Sequence, residues 1–429
     1  MADSAGPNER VGPVATVAST QILIVGGGPA GAAAAYWLAR EGHSVTIVEK
    51  RTFPRNKSCG DALTPRAVRQ LHDMGLADTF ATSHRFEGVR VTGLGRDLTL
   101  QWPEHPDYGR HGYIVRRAEL DAIVAANAVS AGATLLQGHE AVRPLVSRGF
   151  VRGAVVQGPT GPPFEVMAKY VVVADGANSR FGRNLGTTRS QEWPFGAAIR
   201  TYWATPRHTE PWIESALDLR DRNDRVVPGY GWVFPAGDGT ANIGVGLLST
   251  FRDFKTVNTA HLLQAYAERI AERWEIDPGE PLRKAVSGRI PMGGSVAPTA
   301  GPTYLVVGDA AGVVSPFNGD GIDYAYETGR LAADVLHEAL ATNDASALQH
   351  YSKQLDERYG QYFKVARLFA RVVGRPLVIR ELTRIGMHNR TLMEWVLRIM
   401  SNEMRPDETG PAELAYRAAA AIARLAPNA

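Results

Sequence analysis

The stretch from Thr20 to Glu49, TQILIVGGGPAGAAAAYWLAREGHSVTIVE, constrains this chain more than any other. An apolar run suited to a buried strand enters Gly26-x-Gly28-x-x-Gly31, an alanine-rich segment suited to a helix follows, and a second apolar run ends at Glu49. Each glycine has its own reason: the first permits a tight turn, the second lets backbone N–H groups approach a diphosphate, and the third lets helix and strand pack closely. The helix begins at Pro29 and Ala30, so its positive dipole end and unpaired N–H groups face the diphosphate. Glu49 stands 18 residues beyond Gly31, where an acid reaches ribose hydroxyls. The pattern is that of a dinucleotide-binding βαβ unit. The 18 uncharged residues from Ile22 to Ala39 approach the length of a membrane span, but four glycines and a proline divide them into strand, turn and helix.

With 429 residues the chain has room for two or three domain-sized units. Its 47 basic and 44 acidic residues leave a formal charge of +3, too balanced to point to nucleic acid. Cys59 is the only cysteine, so no internal disulfide forms and a reducing, cytoplasmic setting is the natural reading. The 11 histidines are scattered, without H-E-x-x-H spacing or cysteine partners, and no metal site is expected. Residues 1–19 lack a basic start and a continuous apolar run, which reads as a flexible leader rather than a signal peptide.

Further along, a helix is expected from Pro65, short strands over 85–111, a helix in RRAELDAIVAANAVSAGA, and a run of strands over 133–174 ending in Tyr170-Val-Val-Val-Ala-Asp175-Gly176. Residues 190–285 carry aromatic strands and turns. A buried-type strand returns at Tyr304-Leu-Val-Val-Gly308-Asp309, and the chain beyond 345 is helical. A nucleotide domain built from 20–84, 112–189 and 286–345 is therefore interleaved with a β-rich domain from 85–111 and 190–285, and 346–429 form a helical C-terminal region.

In this order and spacing, Gly26 to Gly31, Asp175-Gly176 and Gly308-Asp309 resemble the FAD-dependent oxidoreductases of the para-hydroxybenzoate hydroxylase fold, an α/β class with a Rossmann-like FAD-binding domain and an inserted β-rich substrate domain. The resemblance implies that Asp309 bonds the ribityl chain and that Asp175 and Gly176 lie near the cofactor. It also implies that Arg117 contacts the cofactor and Ala141 meets the adenine. Gly319, Gly321 and Ile322 open a helix whose N-terminus stabilises negative charge on a reduced isoalloxazine.

Two more motifs, Asn56-Lys-Ser-Cys59-Gly60-Asp61-Ala62 and Tyr230-x-Trp232-x-Phe234-Pro235 followed by Gly244-x-Gly246, resemble the geranylgeranyl reductase branch, which saturates isoprenoid double bonds. CGDALTPRAV, WPFGAAIR, VPGYGWVFP and NIGVG resemble the actinobacterial menaquinone reductases in particular. Residues two apart on a strand share a face, so Tyr230, Trp232 and Phe234 form one aromatic wall and Gly244 and Gly246 a bare strip on the returning strand. A wall beside a strip makes a slot for a long apolar chain. The resemblance puts Cys59 near the flavin as proton donor or as a group that orients the alkene, with Lys57 and Asp61 positioning the loop or the diphosphate.

The expected activity is FAD-dependent saturation of one isoprene unit of the menaquinone side chain, with geranylgeranyl diphosphate or a prenyl lipid as alternative substrates. An oxygen-using aromatic hydroxylase or halogenase, and a prenyl-binding escort without chemistry, are the competing classes. No second G-x-G-x-x-G unit is present, so the reductant is NAD(P)H bound transiently, a ferredoxin or a quinol system. The sequence leaves the oligomeric state open. Lys364 to Arg398 carry eight basic residues against two acidic ones, interleaved with apolar ones, which suits peripheral docking on an anionic membrane surface at the inner face of the cell membrane.

Overall fold

The structure is a computed structural model that describes residues 16–405 and 408–426. The expected leader therefore lies, up to residue 15, outside the described residues, and Thr16 to Ser19 already belong to the first strand. That strand, Thr16–Val25, is the centre of a parallel sheet in the order Thr134–Gln137, Val45–Glu49, Thr16–Val25, Phe164–Val173, Tyr304–Val306. Ile24 pairs with Ile47 on one side and Val172 on the other. Both faces of these strands are covered, and Ile22, Leu23, Ile24, Val171 and Val172 are fully buried. Each such side chain contributes roughly 1.5–3 kcal/mol of burial. The strand Phe150–Gln157 extends the sheet antiparallel to Phe164–Val173, and Glu140–Ser147 pairs antiparallel with Phe150–Gln157 in turn.

Helices Pro29–Arg40 and Ile322–Ala341 cross so closely that a Cβ on Gly329 would sit 2.4 Å from the Ala30 carbonyl oxygen. The N-terminus of the first helix, at the carboxyl ends of the parallel strands, thus packs about two turns along the second helix. Those strand ends are where open α/β sheets bind their ligands.

The second sheet has seven strands in the order Val286–Pro291, Phe195–Ala204, Thr240–Leu248, Gly229–Pro235, Trp212–Ala216, Gly88–Gly93, Arg96–Gln101. It joins the two segments expected to form the β-rich domain. The strand Val286–Pro291, assigned from sequence to the nucleotide domain, pairs with Phe195–Ala204 and belongs here, so the boundary falls several residues later. Helix Thr259–Trp274 seals one face of this sheet through the buried Tyr266 and Trp274. The opposite face meets the loop around Cys59. Beyond residue 345 the chain is helical, ending in Gln361–Val373, Pro376–Gly386, Arg390–Met400 and Pro411–Leu425. Among the described residues no helix is long and apolar enough to cross a membrane.

Candidate active site

The Gly-rich turn is built as its spacing requires. Gly26 has φ +106°, and a Cβ there would lie 2.4 Å from the Ala174 carbonyl oxygen, while one on Gly31 would lie 2.0 Å from the Gly26 oxygen. Gly28 caps helix Pro29–Arg40 without a side-chain bond, so the first-turn N–H groups point outward unpaired. Glu49, buried at the end of its strand, accepts from Gly27 N at 3.0 Å and Arg51 N at 2.9 Å. The Arg55 guanidinium stands over the turn, 3.5 Å from where a Gly28 Cβ would be, and is paired with Asp121 at 2.9 Å. Sequence reasoning missed Arg55; a basic residue shortly after the acid that closes the βαβ unit was the available signal.

Asp175 follows the parallel strand. One carboxylate oxygen accepts from Phe181 N at 3.0 Å and the other is buried with no partner, and burial raises this carboxyl. Gly176 beside it has φ +81°. Asp309 pairs with Lys57 at 3.0 Å. Burial alone would raise the Asp309 carboxyl, but Lys57, with Arg117 and Arg189 behind it, holds it below the usual range. Gly319 (φ +78°) and Gly321 lead into Ile322 at the start of the second helix, again without a side-chain cap. Ala141 lies in the strand Glu140–Ser147, next to His139, whose N–H bonds the Glu49 carbonyl at 3.0 Å.

The Cys59 loop is clamped between the two sheets. The Cys59 carbonyl accepts from Arg200 Nε at 3.0 Å and Asn242 Nδ2 at 2.9 Å, and Lys57 O accepts from Arg200 Nη2 at 2.9 Å. Asp61, fully buried at φ +68°, accepts from Asn242 Nδ2 at 2.7 Å, the Tyr202 hydroxyl and Arg117 N at 3.1 Å. Its carboxylate is thus spent on the loop's architecture. Arg117 is likewise buried, its guanidinium bonded to Asp121 at 2.8 and 3.0 Å. Gly60 leads directly into Asp61, and Ala62 starts a short strand paired with Ile114. Burial pushes the Cys59 thiol up, partly offset by Arg117, so it rests as a protonated thiol. It packs beside a cluster containing Ile322 and the first helix's Ala32 and Ala33.

Tyr230, Trp232 and Phe234 do form one wall, with neighbouring ring centroids 5.8 and 6.1 Å apart. A Gly60 Cβ would touch the Phe234 ring at 2.6 Å, and one on Gly319 would lie 3.5 Å from the Tyr230 hydroxyl, which donates to Asn318 O at 2.6 Å. The wall therefore spans from the cysteine loop to the second helix N-terminus. The expected open strip differs. Trp232 pairs with Gly244, and its indole lies where a Gly244 side chain would be, at 2.2 Å, so that glycine seats a ring instead of flanking a slot. Gly246 lies opposite Tyr230. Pro235 falls on the opposite face by strand alternation. Arg200, Tyr202 and Asn242 come to the site from the neighbouring strands; Arg200 ends the WPFGAAIR stretch and Asn242 begins NIGVG, but neither motif shows by itself the contact with the Cys59 loop.

Two uncapped helix N-termini, a cradle that any Cβ would fill, an orphaned buried oxygen on Asp175 and the Asp309 carboxylate fit FAD laid from Glu49 towards Ile322. The FAD-binding-domain family profile matches residues 19–362. Menaquinone reductase of Mycolicibacterium smegmatis is 40% identical over 405 residues, 94% of this chain and 96% of that one. Digeranylgeranylglycerophospholipid reductase 1 of Methanopyrus kandleri is 30% identical over 82% of this chain and 90% of its own length. This chain belongs to the geranylgeranyl reductase family of FAD-binding flavoproteins. In this reductase-family chain FAD is the cofactor and the class is an FAD-dependent oxidoreductase. A geranylgeranyl bacteriochlorophyll reductase-like protein of Thermoplasma acidophilum superposes with a TM-score of 0.76 at 24% identity, covering 94% of this chain and 99% of that one. A flavin-dependent brominase shares the fold at a TM-score of 0.73 and 20% identity, covering 95% and 99%.

Proposed function

We propose that this flavoprotein saturates an isoprenoid double bond, in one isoprene unit of the menaquinone side chain. The observation that carries the reading is the aromatic wall set against Gly60 and Gly319, between the Cys59 loop and the second helix N-terminus. The identity shared with menaquinone reductases over nearly the whole chain supports the quinone as substrate.

An isolated alkene has no carbonyl to polarise, so reduction takes a hydride at one carbon and a proton at the other in a dry site. Reduced FAD supplies the hydride, replenished by a two-electron donor, NAD(P)H or another carrier. The chain supplies the rest. The rings of Tyr230, Trp232 and Phe234 offer flat apolar contact that aligns a hydrocarbon without hydrogen bonds. Cys59 holds a proton at the same edge. The N-terminus of helix Ile322–Ala341 stabilises the negative charge that hydride transfer requires of its donor.

A membrane-dissolved substrate calls for docking. Helix Pro376–Gly386 exposes Leu377, Leu382 and Ile385 beside the exposed Arg380 and Arg384, which supports peripheral binding to an anionic bilayer. Sedimentation with anionic vesicles, and its loss in Leu377→Asp, tests this; protein left in the supernatant at low salt refutes it.

Mass spectrometry of quinones from cells with and without the protein tests the function. Loss of the dihydro-menaquinone is the expected result, and an unchanged quinone pool refutes the quinone as substrate. An oxygen requirement for turnover of the purified enzyme would move the assignment to a hydroxylase or halogenase.

A further inference from the structure

Helix Arg390–Met400 ends in a Schellman turn. Asn402 takes the left-handed conformation (φ +56°), its N–H bonds Ile399 O at 3.1 Å, and Glu403 N bonds Arg398 O at 3.0 Å. The residue after such a turn ordinarily turns an apolar side chain inward. Here it is Glu403, fully buried, with both carboxylate oxygens lacking a hydrogen-bond partner. A buried acid without partners is too costly to keep as structure alone.

The segment before it is tied to the active site. Asn318, whose carbonyl receives the Tyr230 hydroxyl, donates its side-chain amide to Met400 O at 3.2 Å, and Tyr362 donates to the same carbonyl at 2.9 Å. Asn402 bonds the Tyr324 hydroxyl at 3.2 Å. Facing Glu403 across this junction are Arg66 of helix Pro65–Asp73 and Asp320 of the loop before the second helix N-terminus, with Arg398 from its own helix. Asp323 pairs with Arg66 at 3.0 Å, and Arg66 also holds Glu327 at 2.8 Å; burial raises the Asp320 and Asp323 carboxyls, and the nearby Asp320 raises Asp323 further. Two neighbouring buried carboxyl groups disfavour double ionisation, so the pair favours keeping a proton. Tyr108, stacked on His105 at 4.3 Å, completes the surround of Arg66, and His105 borders a surface depression of about 450 Å³ lined by Glu104, Arg110, Arg405 and Glu408.

We propose that Glu403, with Asp320 and Asp323, is a proton store that resupplies the active site through the loop carrying Asn318 and Asp320. This rests on the saturation reading, which consumes one proton for each hydride. Glu403 gives its proton, by way of the Asp320–Asp323 pair, to the group that protonates the alkene. It is left as a carboxylate facing Arg66 and Arg398, and takes a proton back from water at the surface depression. It acts through other groups and so is a positioning residue.

The test compares wild type with Glu403→Gln and Glu403→Asp. Burial raises the Glu403 carboxyl to about 8, against the pull of Arg66 and Arg398. The folded state then holds a proton that the unfolded state releases, so stability of the flavin-free protein declines as pH rises from the ordinary carboxyl range to about 8. Glu403→Gln is expected to remove that decline and, in the loaded enzyme, to flatten the alkaline limb of turnover and lower kcat about tenfold or more at neutral pH. Glu403→Asp is expected to restore a shifted limb. Should Glu403→Gln fail to fold, infrared spectra of the wild type still decide: a carboxylic-acid band that titrates near neutrality and moves in Glu403→Asp is required. An unchanged alkaline limb in Glu403→Gln, or no titrating band, overturns the store. The flavin-free measurements do not depend on which alkene is reduced, so they separate failure of the store from failure of the saturation reading.

Discussion

Asp61 Oδ2 accepts a 2.7 Å hydrogen bond from Asn242 Nδ2, joining the Cys59 loop of the flavin domain to the strand that also carries Gly244 and Gly246. The same nitrogen donates to the Cys59 carbonyl at 2.9 Å. One amide thus sets where the thiol stands relative to the aromatic wall.

Asp61→Asn tolerates the left-handed backbone but replaces an ion that accepts three hydrogen bonds. A stability loss of about 1–3 kcal/mol is expected in urea unfolding, with weaker flavin retention. Wild-type stability and wild-type flavin affinity together would remove Asp61 from this role.

Gly31→Val places side-chain atoms against the Gly26 carbonyl, which a Cβ alone would approach to 2.0 Å. The turn cannot close, and the purified variant is expected to be colourless. A yellow protein with the wild-type flavin spectrum would contradict the turn geometry.

Gly244→Ala and Gly246→Ala form a matched pair. At Gly244 the new methyl collides with the Trp232 ring at 2.2 Å, whereas at Gly246 the nearest atom, of Tyr230, is 3.5 Å away. Displacing the indole should lower kcat/KM for the prenyl substrate by about a hundredfold while flavin stays bound. The Gly246 variant should stay near wild type, and equal effects in the two would refute the seating of Trp232 on Gly244.

Cys59→Ala loses the Sγ acceptor of the Asp61 N–H at 3.4 Å but keeps the bonds from Arg200 and Asn242 to the loop's backbone oxygens, so the loop stays clamped. If the thiol protonates the alkene, turnover falls about a hundredfold or more with the flavin spectrum intact. Near wild-type turnover would assign Cys59 to shaping the site only.

The Lys57–Asp309 pair sets a pH dependence. Its folded carboxyl ionises below the ordinary value, so its contribution is fully present above the ordinary carboxyl range and is lost as pH falls through the depressed one. Lys57→Met should shrink the acid-side loss of stability seen in urea titrations from neutral pH to about 3. The pair is partly exposed, so the change is modest. An identical acid limb in the variant would show that Lys57 does not hold Asp309.

Much of the flavin domain was legible because its signals are local. The spacing of Gly26, Gly28 and Gly31 between two apolar runs dictates a strand, a turn and a helix without reference to anything distant, and period-two alternation put Tyr230, Trp232 and Phe234 on one face. Register was not legible: that Trp232 lies opposite Gly244, and so fills the space expected to be open, depends on how the hairpin closes. The strand Val286–Pro291 was misassigned for the same kind of reason, since its partner, Phe195–Ala204, lies some ninety residues earlier in the chain.

By itself, then, the order of residues determined the cofactor cradle, the aromatic face and the helical end of the chain, all set by interactions within a few turns or strand steps. Only the tertiary structure decided that Arg200 and Asn242 hold the Cys59 loop, that Arg55 stands over the Gly-rich turn, and that Glu403 is buried facing Arg66. Those contacts join residues far apart in sequence. Such pairs are selected by the packing of whole sheets and helices, and no local pattern encodes them.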